Sequence, residues 1–235
     1  MMRLLVVGSF KPDTLETYYV SHLKSEISEI YCFPALDIFH DYYYQSWLNK
    51  IRFRLGMSKI HNQINRELIR MVKDVNPDII WVFRGMEIYP DTLAKFKKKG
   101  IFLMNFNPDH PYIYNRGTGN SNVKNGLKHY HLHFCYDKNL GNKINRTHHI
   151  SFVHLPFGYE LSERVYEMTI EYPEILKTAF IGTYDLRRKK IILELLHAGI
   201  EVDVFGNGWE SNLKPNSNLR IFSPVEGEDF WIKTR

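Results

Sequence analysis

The chain carries only two cysteines, Cys32 and Cys135, too few for a disulfide framework or a four-ligand zinc site. Each closes an apolar run, the usual place of a buried free thiol. Long hydrophobic runs are missing as well. The early run at residues 4–7 is far below the ~18 residues that cross a bilayer, and no secretory signal pattern precedes it. These absences lead to the expectation of a soluble, intracellular, cytoplasmic protein. Neither sign of charge dominates: 31 Lys and Arg against 26 Asp and Glu leave +5, which suits an anionic ligand or surface without selecting nucleic acid. No helix-turn-helix, zinc-finger or RNP pattern occurs, so nucleic acid is not an expected partner. What is present is ample apolar material. The 235 residues are 44% hydrophobic and 24% charged, which excludes collagen-like, low-complexity and disordered classes and supports one large core or two smaller ones.

Residues 2–8 read as a short buried strand ending at Gly8-Ser9, followed by a Pro12-Asp13 helix start and an amphipathic run to about residue 27. A second strand is expected at 30–33. Residues 37–73 then supply two helical stretches parted near Gly56, the later one with Ile60, Ile64, Leu68, Met71 and Val72 at helical spacing. Pro77-Asp78 introduces a strand at 79–83, and a helix at 90–99 closes on Gly100 before a strand at 101–106. Strands at 132–135 and 151–155 flank a helical stretch at 137–143. This alternation needs crossover connections, hence a parallel sheet covered on both faces. The expected class is α/β, with a doubly wound, Rossmann-like domain over residues 1–158. Residues 159–177, with Pro173 near their end, read as an interdomain connector. The alternation then restarts: a strand at 178–181 ending in Gly182, a helix at 187–198 capped by Gly199, a strand at 201–205 ending in Gly206, and a strand at 219–222. Residues 178–235 are therefore expected to be the first part of a second Rossmann-like domain, incomplete against the usual ~5 or 6 strands. The sequence is expected to be the first half or more of something longer.

Several strand exits carry residues with chemistry. Gly182 and Thr183 open a loop whose helix starts near Leu186, so amide N–H groups and the helix dipole face an anion there. Arg187, Arg188, Lys189 and Lys190 crowd the first turn, where cations oppose the dipole; either a pyrophosphate partner or an exposed charge run accounts for them. Arg187 and Arg188, adjacent on a helix, do not both point inward. In Gly206-Asn207-Gly208-Trp209 the glycines admit a nucleotide close to the backbone, and Trp209 either flanks a base or caps the turn from the core. In the first domain, Asn107-Pro108-Asp109-His110-Pro111 follows a strand. Asp109 or His110 is the candidate general base toward an acceptor hydroxyl, or a sugar ligand; the alternative is a turn cap and a surface histidine. Arg84 and Glu87 at another exit are either cleft residues or a structural salt bridge, and Gly8-Ser9 is a further cleft candidate. His129, His131 and His133 share a face if extended, ~6.7 Å apart, but no acidic or cysteine set accompanies them and no metal site is assigned. Tyr42, Tyr43, Tyr44, Trp47, Ile51, Arg52, Phe53 and Arg54 interleave aromatic and basic residues, as a peripheral membrane contact does, or as core packing with a solvated basic edge does.

Residues 180–190 (FIGTYDLRRKK) and 204–209 (VFGNGW) resemble the CgeB-type, spore maturation protein CgeB-like, glycosyltransferases. Residues 76–80, 84–87, 100–101, 107–111 and 155–158 are similar to the same family's first domain, and the matches span roughly residues 3–230 in order. The resemblance implies a GT-B fold and transfer of a sugar from a nucleotide-sugar donor to an unidentified acceptor: glycan, protein or lipid. It implies no cofactor and direct electrostatic stabilisation of the leaving diphosphate rather than a metal; the Asp-x-Asp motif of the other major glycosyltransferase fold is missing. It further implies an acceptor-side first domain with Asp109 and His110 catalytic, and donor binding by Gly182, Thr183, Arg187, Arg188, Gly206, Gly208 and Trp209. The family's next stretch, carrying an Arg and an acidic residue before a helix, has no counterpart here, so this chain alone is expected not to turn over a donor. Apolar surface around Val204, Phe205, Ile221 and Phe222 is expected to be uncovered, inviting a homo-oligomer or another chain. The competing class is a catalytically inactive GT-B-like binding or scaffold protein.

Overall fold

Short apolar runs become the strands of two parallel sheets in the computed structural model, which describes residues 2–12, 14–113, 121–158, 160 and 163–234. The chain divides into two units, residues 1–157 and 158–235. In unit 1, β1 (Arg3–Val7), β2 (Glu29–Phe33), β3 (Ile79–Phe83), β4 (Phe102–Phe106), β5 (Leu132–Cys135) and β6 (Ser151–His154) form one sheet in the order β2-β1-β3-β4-β5-β6. Every pairing is parallel. Continuous apolar strands suit this sheet because helices bury both of its faces. Leu5, Val7, Ile80, Val82 and Leu103 pack on one side against Ile64, Leu68 and Val72 of α4 (Ile60–Val75) and Leu93 and Phe96 of α5 (Pro90–Lys98). Leu4, Val6, Trp81, Phe83 and Phe106 pack on the other against Val20 of α1 (Leu15–Leu23).

The local departures have identifiable causes. Helix α1 starts at Leu15 and ends at Leu23, short of residue 27; Asp13, expected in its start, lies outside the described residues. Between β2 and β3 there are three helices rather than two: α2 (Ala35–Gln45), α3 (Trp47–Arg54) and α4. The additional break falls at Ser46, whose backbone is extended and whose Oγ accepts the Asn49 N–H at 3.1 Å, an N-cap that starts a new helix. His129 sits in a one-turn 3₁₀ helix (Leu127–His129) after α6 (Ser121–Gly126), so it does not share an extended face with His131 and His133. Cys32 is exposed because β2 is an edge strand, whereas Cys135 is buried. Helix α7 (Lys138–His148) is capped by Asp137.

Unit 2 begins with α8 (Glu163–Ile170), a helix inside the stretch expected to be a connector. It continues through β7 (Thr178–Ile181), α9 (Leu186–His197), β8 (Val202–Phe205), β9 (Leu219–Phe222) and α10 (Gly227–Thr234). Its strands pair in parallel in the order β7-β8-β9. The core gathers Ile192 of α9 with Val202, Val204, Trp209 and Leu219. Val204 and Phe205 are thus buried, contrary to expectation, and the exposed apolar edge is Phe222. Among the described residues no helix is long and apolar enough to cross a membrane.

Candidate functional site

In unit 1 the strand order reverses between β1 and β3, and the crevice at the carboxyl ends of such strands is where open α/β sheets bind ligands. Gly8 leaves β1 where Glu16 of α1 crosses over it; a Cβ there would land on the Glu16 carboxylate. The Ser9 N–H donates to Glu16 Oε1 (2.9 Å), while Asp37 of α2 accepts from Ser9 Oγ (2.5 Å) and the Phe10 N–H (2.7 Å). Ser9 therefore spends its polar groups holding Glu16 and Asp37 in place.

At the exit of β3, Arg84 adopts φ 56°, a left-handed conformation uncommon outside glycine. Its surroundings over-determine it. The Arg84 N–H donates to Phe106 O (2.8 Å), Asn65 of α4 bridges Glu87 O (2.8 Å) and the Tyr89 N–H (2.9 Å), and Asn122 Nδ2 donates to Met86 O (2.9 Å). This turn delivers Glu87 into the interior, only 3% exposed. Burial pushes its carboxyl up to about 7; the Arg84 cation opposes that rise and the Glu16 carboxylate adds to it. Burial also raises Glu16, against its hydrogen bond from Ser9. A carboxyl poised near neutrality beside a guanidinium and a second carboxyl can give or take a proton at physiological pH.

Of the two roles the sequence left open for Arg84 and Glu87, cleft residues or a structural salt bridge, the second is not seen among the described residues: Arg84 Nε lies 3.7 Å from Asp109 Oδ2. Asp109, half-buried after β4, donates its N–H to Asn107 Oδ1 (3.0 Å), and His110 Nδ1 accepts from the Tyr112 N–H (3.3 Å). The fold thus brings Glu16, Arg84, Glu87 and Asp109 to the exits of β1, β3 and β4. Fully enclosed polar atoms accompany them: Asn107 Nδ2, Asn105 Oδ1 and both ring nitrogens of His133 have no hydrogen-bond partner among the described residues. His133 lies beside Asn105 in register, and burial holds it down to about 4, so it is neutral at pH 7. Tyr130, buried in the same region, bears on Gly85 with its hydroxyl, and burial raises its pKa. His131 is used structurally, accepting the Leu103 N–H on Nδ1 (3.0 Å) and stacking on Phe102. Among the described residues no three or more His, Cys, Asp or Glu side chains are grouped to hold a metal ion.

In unit 2 the loops after β7 and β8 touch. The Gly182 N–H donates to Phe205 O (2.8 Å) and the Tyr184 N–H to Asn207 O (2.9 Å). Gly206 has φ 151°, and a Cβ there would overlap the Gly182 carbonyl oxygen, so only glycine fits. Trp209 is fully buried and donates from Nε1 to that same carbonyl (2.7 Å). Its ring is a core element that braces the loop, which corrects its placement against a base. Asp185 caps α9, accepting the Arg187 and Arg188 N–H groups at 2.8 and 2.9 Å. Hydrogen bonds from these amides, Arg188's foremost, hold the Asp185 carboxyl below its usual range. The first-turn amides are therefore already taken by a carboxylate. Arg188 folds back on its own loop, with Nη1 donating to Thr183 O (2.6 Å), Nε 3.1 Å from Asp185 Oδ2 and the guanidinium over Phe180. Thr183 and the Arg187 side chain remain exposed beside it.

No protein-family model matches the chain, and no curated protein matches it. Solved structures do. UDP-GlcNAc 2-epimerase from Neisseria meningitidis, bound to UDP-GlcNAc, superposes with a TM-score of 0.59 at 12% identity, covering 98% of this chain and 74% of its own. The fold is GT-B-like. UDP-GlcNAc 2-epimerase from Methanocaldococcus jannaschii gives 0.57 at 11%, covering 99% and 76%, and a UDP-forming α,α-trehalose-phosphate synthase from Burkholderia xenovorans gives 0.57 at 12%, covering 99% and 75%. At such identities the likeness is one of fold. The α/β class with parallel sheets and a three-stranded second sheet, expected from sequence, agrees with it.

Proposed function

We propose that the protein is a CgeB-type glycosyltransferase that moves a sugar from a nucleotide donor to an acceptor, with unit 2 holding the donor and unit 1 the acceptor. The observation that carries this reading is the braced loop pair after β7 and β8, which presents Thr183 and Arg187 beside a glycine turn in a GT-B-like fold. The solved neighbours named above include enzymes of UDP-sugars, one of them bound to UDP-GlcNAc. Arg187 answers the diphosphate, and Arg188 shapes the loop that receives it, since its guanidinium is engaged with Thr183 and Asp185.

In unit 1 the Glu87 carboxylate accepts the acceptor's hydroxyl proton, and Arg84 and Asp109 orient that hydroxyl. In transfer the acceptor oxygen bonds to the anomeric carbon as the bond to the diphosphate breaks, and the diphosphate leaves with the electron pair. Glu87 joins Asp109 and His110, the candidates the sequence offered, in the proton-accepting role, since burial pushes its carboxyl up to about 7.

One observation favours a binding protein without turnover: Asp185 occupies the α9 N-terminus, where an anion would otherwise be received. Titration with UDP and with UDP-sugars, followed by an assay for donor hydrolysis, separates the readings. Binding weakened about tenfold by Arg187→Gln together with donor cleavage lost in Glu87→Gln supports transfer. Binding without cleavage by this chain, whose second sheet has three strands, leaves the donor-binding part of the proposal standing, and no binding removes both readings.

A further inference from the structure

Residues 44–59 contain Lys50, Arg52, Arg54 and Lys59 and not one Asp or Glu. The same stretch exposes large apolar side chains that a folded core would claim: Tyr44, Trp47, Leu48, Ile51, Leu55 and Met57, with Trp47 at 68%, Leu55 at 68% and Met57 at 69%. On helix α3, Asn49 is buried and Phe53 packs inward against Phe39 and Tyr43, at ring distances of 4.9 and 5.7 Å. At 100° per residue, Trp47, Leu48 and Ile51 project from the opposite side. Arg52 flanks that apolar stripe on one edge, and Arg54 and Lys50 flank it on the other. Lys50 is steadied over the Tyr44 ring at 4.9 Å. The helix is therefore anchored by its polar-and-aromatic inner face and turns its apolar face outward, the reverse of a helix that serves only a core.

An outward apolar stripe a few residues wide, rimmed by cations on both edges, matches the interface of an anionic bilayer. The apolar side chains enter the acyl boundary while long basic chains reach up to the headgroups. Patch and candidate site share one end of unit 1. Met57 precedes α4 by three residues, and the first turns of α4 hold the Arg84–Tyr89 turn through Asn62, which accepts from Tyr89 Oη at 2.8 Å, and through Asn65. We infer that the outer face of α3, with the 55–59 loop, docks the protein on an anionic lipid surface. On the reading of unit 1 as the acceptor side, this sets the acceptor site at the membrane surface and selects acceptors that reside there.

The test is co-sedimentation of the purified chain with phosphatidylcholine vesicles made with and without phosphatidylglycerol. Binding to the anionic vesicles alone, weakening as salt is raised, is expected. Arg52→Gln with Arg54→Gln should weaken it about fivefold for each cation removed. Trp47→Ser with Ile51→Ser should abolish it while leaving the circular dichroism spectrum and thermal midpoint unchanged, since both side chains are exposed. Failure to bind anionic vesicles overturns the inference, as does equal binding by the Trp47/Ile51 variant. Sedimentation as a dimer that the same substitutions dissolve, without lipid binding, also overturns it by assigning the face to a second copy. None of these outcomes bears on donor binding, which UDP titration reads separately.

Discussion

Replacing Glu87 by glutamine should stabilise the protein above neutral pH while abolishing transfer. Gln keeps the shape of the side chain inside the turn that Asn65 and Asn122 hold, and removes the ionisable group. The folded state displaces the Glu87 carboxyl from 4.5 to about 7, chiefly because burial disfavours its charge. Each tenfold change in a protonation equilibrium is worth about 1.4 kcal/mol, so ionising Glu87 in the folded protein costs about 3 kcal/mol more than in the unfolded chain. The folded carboxyl holds its proton more tightly than the unfolded one. Its contribution to stability is therefore complete below pH 4.5 and is lost as the pH rises to about 7. Urea unfolding at about pH 5 and about pH 8 reads this directly: Glu87→Gln should gain little at the lower pH and up to about 3 kcal/mol at the higher. In a form with a complete donor domain, the same variant should lose about 10²- to 10⁴-fold in transfer, the usual worth of a positioned general base. A stability difference between variant and parent that does not change with pH, or that grows toward acid, would refute the assignment of a buried, proton-holding carboxyl.

Three further substitutions probe unit 2. Arg187→Gln should lower affinity for UDP by about tenfold, the worth of a charge-assisted hydrogen bond, with the thermal midpoint unchanged because the side chain is exposed; isothermal titration and a thermal melt check both halves. Gly206→Ala should cost about 3 kcal/mol, since the new Cβ meets the Gly182 carbonyl in a conformation alanine resists, and denaturant unfolding of unit 2 measures it. Asp203 of β8 accepts from Arg220 at 2.9 and 2.6 Å and lies 3.3 Å from Lys177. Those partners, Arg220 first, hold its carboxyl below the usual 3.8, so its stabilisation is present above pH 3.8 and disappears as the pH falls through the lowered value. Asp203→Asn should destabilise by about 1–3 kcal/mol at neutral pH, and the deficit should vanish in strong acid.

Strands such as Ile79–Phe83 were legible because a parallel sheet covered on both faces demands continuous apolar runs, and Gly8, Gly100, Gly182 and Gly206 punctuate them. The break at Ser46 was hidden because neither Gly nor Pro marks it; a serine cap accepting from Asn49 reads as ordinary helix until the backbone is seen. Glu16 left no trace either. An acid on an amphipathic helix looks solvated, and only the packing of α1 over Gly8 turns it inward. Glu87 is legible at a strand exit, but whether Arg84 pairs with it is not, because neither the left-handed Arg84 backbone nor its 3.7 Å approach to Asp109 leaves a mark in the sequence. Trp209 shows the limit from the other side. A tryptophan after a glycine turn serves a ligand or a core equally well, and burial alone decides. Asp185 carried its own signal, a capping residue ahead of a helix, and that carboxylate competes with the phosphate expected at the same amides.

Hydrogen exchange of the chain with and without UDP reads donor binding and its place together. Slowed exchange at residues 182–188 and 206–209 is expected, needing about tenfold more UDP in Arg187→Gln. Unchanged exchange across both loops at saturating UDP, or protection confined to other segments, would contradict it.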